Sequence, residues 1–202
     1  MFNVITHPTA LDELLELPDN LRGRMARLIE RLEQEGNKMK MPHSRVIGGG
    51  LFELRVGDKN IARTLYAYAT GNEIYLLHAF VKKTHITSVQ VAKFSKPLQD
   101  APEGDEMTKV KSVPFSQVKQ KLLNTPEAVK GYEDADKELE MVEMLYEMRE
   151  KAGLTKSALA ERMGLRPSAI SRLESNPLGA SMKTLTRYAQ ACGATINIHA
   201  VY

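Results

Sequence analysis

Gly153-Leu154-Thr155-Lys156-Ser157-Ala158-Leu159-Ala160-Glu161-Arg162-Met163-Gly164-Leu165-Arg166-Pro167-Ser168-Ala169-Ile170-Ser171-Arg172-Leu173-Glu174 is the stretch that decides the architecture of the C-terminal half. Thr155 is a helix N-cap, because its hydroxyl can accept from a free amide of the first turn. Ala160 is small where two helices must cross closely. Gly164 ends the first helix and supplies the turn. Ile170 and Leu173 turn inward on the second helix, and Arg166, Ser168, Ser171 and Arg172 are left to point outward. These are the geometric needs of a helix-turn-helix, whose second helix enters a major groove.

Working outward, residues 182–192 read as a further helix and the tail Ala194 to Val201 as a short strand by composition. Upstream, Leu139 to Ala152 carries Leu139, Val142, Leu145 and Met148 at helical spacing, and Phe115 to Leu123 and Pro126 to Tyr132 read as shorter helices. Residues 100–112, polar and containing Pro102 and Gly104, read as a linker. The style changes before it. Asp12 to Leu17 and Leu21 to Glu35 are amphipathic helices, the second ended by Gly36. Residues 87–99 suggest one more helix, interrupted near Pro97. Leu51 to Val56, Ile61 to Ala69 and Glu73 to Val81 are strands, separated by the hairpin signals Gly57-Asp58-Lys59-Asn60 and Thr70-Gly71-Asn72. The expected fold is therefore α+β. A domain of two helices and an antiparallel meander spans residues 1–99, a linker 100–112, two short helices 113–138, and an all-α helix-turn-helix domain with a C-terminal strand 139–202.

The 202 residues suit two small domains. No apolar run approaches the roughly 20 residues of a membrane span, and the N-terminal residues do not read as a signal peptide. The single Cys192 permits no intrachain disulfide and fits a reducing cytoplasm. No Cys/His cluster has zinc-ligand spacing, so neither a metal nor another cofactor is expected. The formal charge of +3 is modest, but it is unevenly spread. The first 99 residues have a basic excess, and so does the chain from Lys151 onward. The acids of residues 127–150 lie between them. Two basic ends point to two nucleic-acid surfaces, with an acidic middle able to cover one.

The helix-turn-helix residues quoted above resemble the Cro/repressor-type family. With Ser181-Met182-Lys183-Thr184-Leu185-Thr186-Arg187-Tyr188-Ala189-Gln190-Ala191-Cys192-Gly193, they resemble its HigA-type antitoxin branch. The resemblance covers roughly residues 139–202. It implies that Lys156 and Ser157 start the first helix at the DNA backbone, and that Ser168, Ser171 and Arg172 occupy recognition positions beside the outward Arg166. Pro167 stands where many relatives carry Gln. Proline suits a first helical turn but cannot make glutamine's bidentate base contact.

Leu51-Phe52-Glu53-Leu54-Arg55-Val56, Ala62-Arg63-Thr64-Leu65-Tyr66-Ala67-Tyr68 and Leu76-Leu77-His78-Ala79-Phe80-Val81-Lys82-Lys83-Thr84-His85 resemble the RelE/HigB toxin superfamily, close to its phage-derived HigB-like branch. The resemblance covers about residues 1–98. It implies ribosome-dependent mRNA cleavage without a metal, in which cationic side chains stabilise the charge building on a pentavalent phosphate. Arg55, Arg63 and Lys83 match the family's basic positions, and Lys82 adjoins the last. Val89 aligns with a tyrosine of some relatives, which leaves His85 as the nearest candidate general acid or base. His78 reads as structural, and Tyr66, Tyr68 and Phe80 as core.

The expectation is a toxin–antitoxin pair in one cytoplasmic chain. Its partners are ribosome-bound mRNA and operator DNA, it dimerises through the helix-turn-helix half, and no membrane is involved. The alternatives are a transcriptional regulator whose RelE-like domain is an inactive sensing or oligomerisation module, and an accessory protein that binds RNA without cleaving it. Residues 113–150 are expected to lie against the toxin half. Their acids would meet its basic face, and Phe115, Val118, Leu122 and Leu123 would make the buried contact.

Overall fold

The computed structural model describes residues 1–57, 60–69, 71–81 and 113–199. The expected helix at 87–99 and the linker at 100–112 lie outside these. The chain divides into two compact units, Met1–Asp136 and Lys137–Tyr202.

The first unit is built on a six-stranded sheet of order β2-β3-β4-β5-β1-β6. Its strands are β1 (Asn3–Thr6), β2 (Ser44–Gly48), β3 (Leu51–Val56), β4 (Ala62–Tyr68), β5 (Glu73–Val81) and β6 (Val113–Pro114). The expected three-stranded meander is β3-β4-β5. Three strands join it that the sequence pattern does not announce, β1, β2 and the two-residue β6. The four residues of β1 are too few for a periodic signal, yet Val4 is fully buried and pairs with Ile74 in a parallel ladder. β2 is a mostly exposed edge strand holding Arg45 and Val46, so it lacks an apolar stripe.

Helices α1 (Pro8–Leu15) and α2 (Asp19–Glu35) follow β1. Leu21, Met25, Leu28, Ile29 and Leu32 of α2 are buried. Gly36 closes α2 at φ +54°, where a Cβ would lie 1.8 Å from the Phe2 ring. Phe2 in turn sets its edge against Tyr68, which packs with Phe52 and Tyr66. The sheet face carrying Phe52, Leu54, Tyr66 and Tyr68 is thus the helix side. Arg45, Glu53, Arg55 and Arg63 project from the other face, because strand side chains alternate.

Residues 113–136 complete this unit. β6 pairs antiparallel with β1, and α3 (Phe115–Leu122) buries Phe115, Val118 and Leu122. The long helix α4 (Pro126–Lys151) begins against α2. That crossing depends on two glycines. A Cβ on Gly23 would stand 1.9 Å from the Ala128 carbonyl oxygen, and one on Gly131 would stand 2.6 Å from that of Asn20. The expected helices at 126–132 and 139–152 are therefore one, since nothing between Tyr132 and Leu139 breaks a helix.

In the second unit, the last turns of α4 pack with α5 (Lys156–Met163), α6 (Pro167–Ser175) and α7 (Met182–Ala191). Their core is Leu145, Leu154, Leu159, Ala160, Met163, Ile170, Leu173, Leu185 and Tyr188. Residues 194–199 form no strand. Their composition suits one, but no neighbouring strand of this unit offers a ladder, and a strand exists only by pairing.

Candidate functional site

Two surfaces hold the residues expected to act, one in each unit. In the first, β3 and β4 place Arg55 directly opposite Arg63. Like charges across a ladder repel, and Glu53 resolves the conflict. Its carboxylate is buried, with Oε2 2.6 Å from Arg63 Nη1 and Oε1 3.2 Å from Arg55 Nε. The first contact is a hydrogen bond, and the second is an ion pair angled away from one. Burial, and then the charges of Arg63 and Arg45, lower the Arg55 pKa against the opposing pull of Glu53. Two polar atoms stay unmatched: Arg63 Nε and Glu53 Oε1 are buried without a hydrogen bond.

Arg45 of β2 is the register partner of Glu53, so it shares this face. It is exposed and makes no hydrogen bond or ion pair among the described residues. Neither Glu53 nor Arg45 was among the expected site residues. Glu53 was legible as a lone acid two residues before Arg55 on an alternating strand; Arg45 was hidden because β2 itself was. Lys82, Lys83 and His85 lie outside the described residues, as does Val89. His78, at 24% side-chain exposure, has Nδ1 3.1 Å from both oxygens of Glu13. That carboxylate also accepts the Ala79 amide at 2.7 Å, in keeping with the structural role expected of His78.

Residues 113–136, the part of the acidic segment that belongs to the first unit, do not meet this arginine face. They pack on the helix side and along β1. Arg27 of α2 binds Asp136 through two hydrogen bonds, at 2.6 and 2.5 Å. Glu30 accepts from Lys119 at 2.6 Å and from the Tyr132 hydroxyl. Buried Arg22 donates to the Leu122 carbonyl and to Asn124, both at 2.9 Å. The apolar part of the expectation holds for Phe115, Val118 and Leu122. The charge part is corrected for residues 113–136: Arg55 and Arg63 take their acid from Glu53 of their own sheet.

The second surface is the helix-turn-helix. Thr155 Oγ1 accepts the Ala158 amide at 3.1 Å. Gly164 takes φ +63°, a left-handed value that disfavours other residues, and turns the chain into α6. Arg166 is the N-cap residue of α6 and Pro167 fills its first turn. Arg166, Ser168 and Arg172 are exposed and Ser171 is half-buried, all on or beside α6. Ser157 is exposed in the first turn of α5. Lys156 is half-buried, with Nζ 3.1 Å from Glu174 Oε2.

Glu174 is the centre of this unit. Its Oε1 lies 2.7 Å from Arg149 Nε and 2.8 Å from the Tyr188 hydroxyl, which is also 2.9 Å from the Leu145 carbonyl. Burial, reinforced by Glu174, raises the Tyr188 pKa. Burial alone would lower that of Arg149, but the bond and charge of Glu174 hold it above the ordinary value. The network ties α4, α6 and α7 together and fixes the presentation of α6. Among the described residues, no group of His, Cys, Asp and Glu could hold a metal ion, and no helix is long and apolar enough to cross a membrane.

Residues 12–97 match the family described as phage derived protein Gp49-like, and residues 145–198 match the family described as helix-turn-helix. No curated protein and no solved structure matches the chain. The first match spans α1 to β5, including Arg45, Glu53, Arg55 and Arg63. The second spans α5 to α7 with the Glu174 network.

Proposed function

From a chain that joins a Gp49-like domain of the RelE/HigB-like toxin family to a Cro/repressor-type helix-turn-helix DNA-binding domain, we propose a toxin–antitoxin pair in one polypeptide. The first half is a metal-independent endoribonuclease acting on ribosome-bound mRNA. The second binds operator DNA as a dimer and represses its own operon. The observation that carries the reading is the pairing of Arg55 with Arg63 across the ladder, with Glu53 between them and a buried guanidinium N–H still unbonded.

A phosphodiester reaching that face meets two guanidinium groups already in position. Attack by the adjacent 2′-hydroxyl concentrates negative charge on the phosphate, and donors fixed beforehand stabilise it without reorganising. Glu53 keeps both arginines on the sheet until the substrate phosphate takes over part of their charge. The products are a 2′,3′-cyclic phosphate and a 5′-hydroxyl.

Residues 113–136 are the neutralising segment in this reading. They dock on α2 and β1, away from the arginine face, so they act by adding bulk that keeps the domain out of the decoding site. The test uses Gly131→Val, whose side chain would meet the Asn20 carbonyl and lift this segment. The undocked chain should arrest growth and leave cyclic phosphate ends on mRNA, and Arg63→Ala should restore growth. A chain that stays harmless when undocked, together with a harmless 1–98 fragment, would favour the second reading: a DNA-binding regulator whose toxin-like domain is inactive. Val89, where some relatives have tyrosine, supports that alternative. Gel shifts with an inverted repeat and with a single half-site test the dimer.

A further inference from the structure

Three strands bring three arginines to one face, and these are not equivalent. Arg55 and Arg63 share Glu53. Arg45 stands opposite Glu53 across the β2–β3 ladder. Directly opposed residues have Cβ atoms about 5 Å apart, so Arg45 belongs to the cluster although it does not bond to Glu53. One carboxylate facing three guanidinium groups leaves an uncompensated positive charge, and Arg45 is the group with no partner among the described residues. The charge of Arg45 is felt at Arg55, where it opposes protonation. Holding like charges together has a cost that a bound anion relieves.

The spacing says which anion. β2 and β4 are two strand separations apart, about 10 Å. That span suits a chain of phosphates crossing the strands, which would meet Arg45 and Arg63 in turn. Arg45 also lies on the exposed edge strand near Gly48 and Gly50, where even a Cβ would meet nothing within 4 Å. The docked residues 113–136 occupy the opposite side of the sheet.

We propose that Arg45 is a third phosphate-binding residue of this face. It holds the phosphate next to the one gripped by Arg55 and Arg63, and the intact chain binds single-stranded RNA there even while residues 113–136 are docked. The inference rests on the reading of this sheet as an RNA-binding face, but it does not require cleavage. Arg45 positions the strand and takes no part in bond breaking.

The test uses the full chain with Arg166→Ala and Arg172→Ala, to remove binding by the helix-turn-helix half. The probe is a fluorescent single-stranded RNA oligonucleotide, read by anisotropy over a series of salt concentrations. Arg45→Ala should weaken binding about threefold or more, and lower the slope of log affinity against log salt by about 0.7 for the lost phosphate contact. The loss should be equal for oligonucleotides of different sequence. Arg45→Lys keeps the charge and should keep the slope. Since Arg45 has no partner to lose among the described residues, melting temperature should not fall in either variant. The proposal is overturned if the parent chain binds no RNA at low salt, if Arg45→Ala leaves affinity and slope unchanged, or if the lysine variant loses the slope as well. Failure of the toxin reading shows separately, as absent growth arrest and absent cyclic phosphate ends in the undocked chain, whatever the RNA titration gives.

Discussion

Both units place a buried glutamate among cationic side chains, and they use it differently. Glu174 has its network completed from inside the second unit: Arg149, Lys156 and Tyr188 all reach it. Glu53 has an unfinished network. One of its oxygens and the Nε of Arg63 are buried without hydrogen bonds, and Arg45 stands opposite with no partner among the described residues. A satisfied buried network rigidifies a core, whereas an unsatisfied one costs energy that a ligand can return. The first glutamate thus belongs to the scaffold behind a DNA-binding surface, and the second to a surface with hydrogen-bonding capacity left over.

The largest effect should come from the chemistry. In the undocked chain, Arg63→Ala should cut the rate of mRNA cleavage by about 10²-fold or more, as when a single transition-state donor is removed. A near-parental rate for both Arg63→Ala and Arg55→Ala would make the Glu53 cluster structural, and the contrast with Glu174 would disappear. Next comes Glu174→Ala, which takes the buried carboxylate from Arg149 and Tyr188 and leaves Arg149 only Glu150 and the Leu154 carbonyl. It should destabilise the second unit by about 3–5 kcal/mol and abolish DNA binding, measured by denaturant titration and gel shift. Glu53→Gln should destabilise the first unit less, because the glutamine carbonyl can still accept from Arg63 and Arg55 can swing to water.

The helix crossing is expected to be intermediate. Gly131→Val forces a branched side chain against the Asn20 backbone, and overpacking of this kind costs about 1–3 kcal/mol. Protease sensitivity of residues 113–136 should rise while operator binding persists. Smaller still, Arg172→Ala should weaken DNA binding across sequences and reduce the salt slope by about 0.9. A loss confined to one base position would mean that Arg172 reads a base edge instead.

The smallest effect concerns pH. Burial opposes the charged form of Glu30, but hydrogen bonds from Lys119, Tyr132 and Arg27 outweigh it and hold the carboxyl below its ordinary 4.5. A carboxylate depressed in this way stabilises the folded state above its unfolded pKa, and that contribution is lost as pH falls through the folded value. Docking of residues 113–136 should loosen as pH drops below about 4.5. Glu30→Gln should weaken docking at neutral pH and flatten this dependence, read by hydrogen exchange of α3.

The sequence alone determined whatever depends on local chemistry. Thr155, Gly164 and the spacing of Leu159, Ile170 and Leu173 specify the helix-turn-helix, because caps, left-handed turns and helical periodicity are decided within a few residues. The three meander strands and the pair Arg55 and Arg63 were legible for the same reason. Tertiary structure alone decided β1, β2 and β6, whose few or polar residues become strands through partners distant in the chain. It also joined the two expected helices after Pro126 into one, left the C-terminal tail without a ladder, and put residues 126–136 on α2 instead of the arginine face. Charge pattern tells which patches attract; it does not tell that Gly23 and Gly131 permit a close helix crossing, or that Glu53 already lies between the two arginines. Those outcomes depend on distances between residues far apart in sequence, and such distances exist only once the sheet has closed.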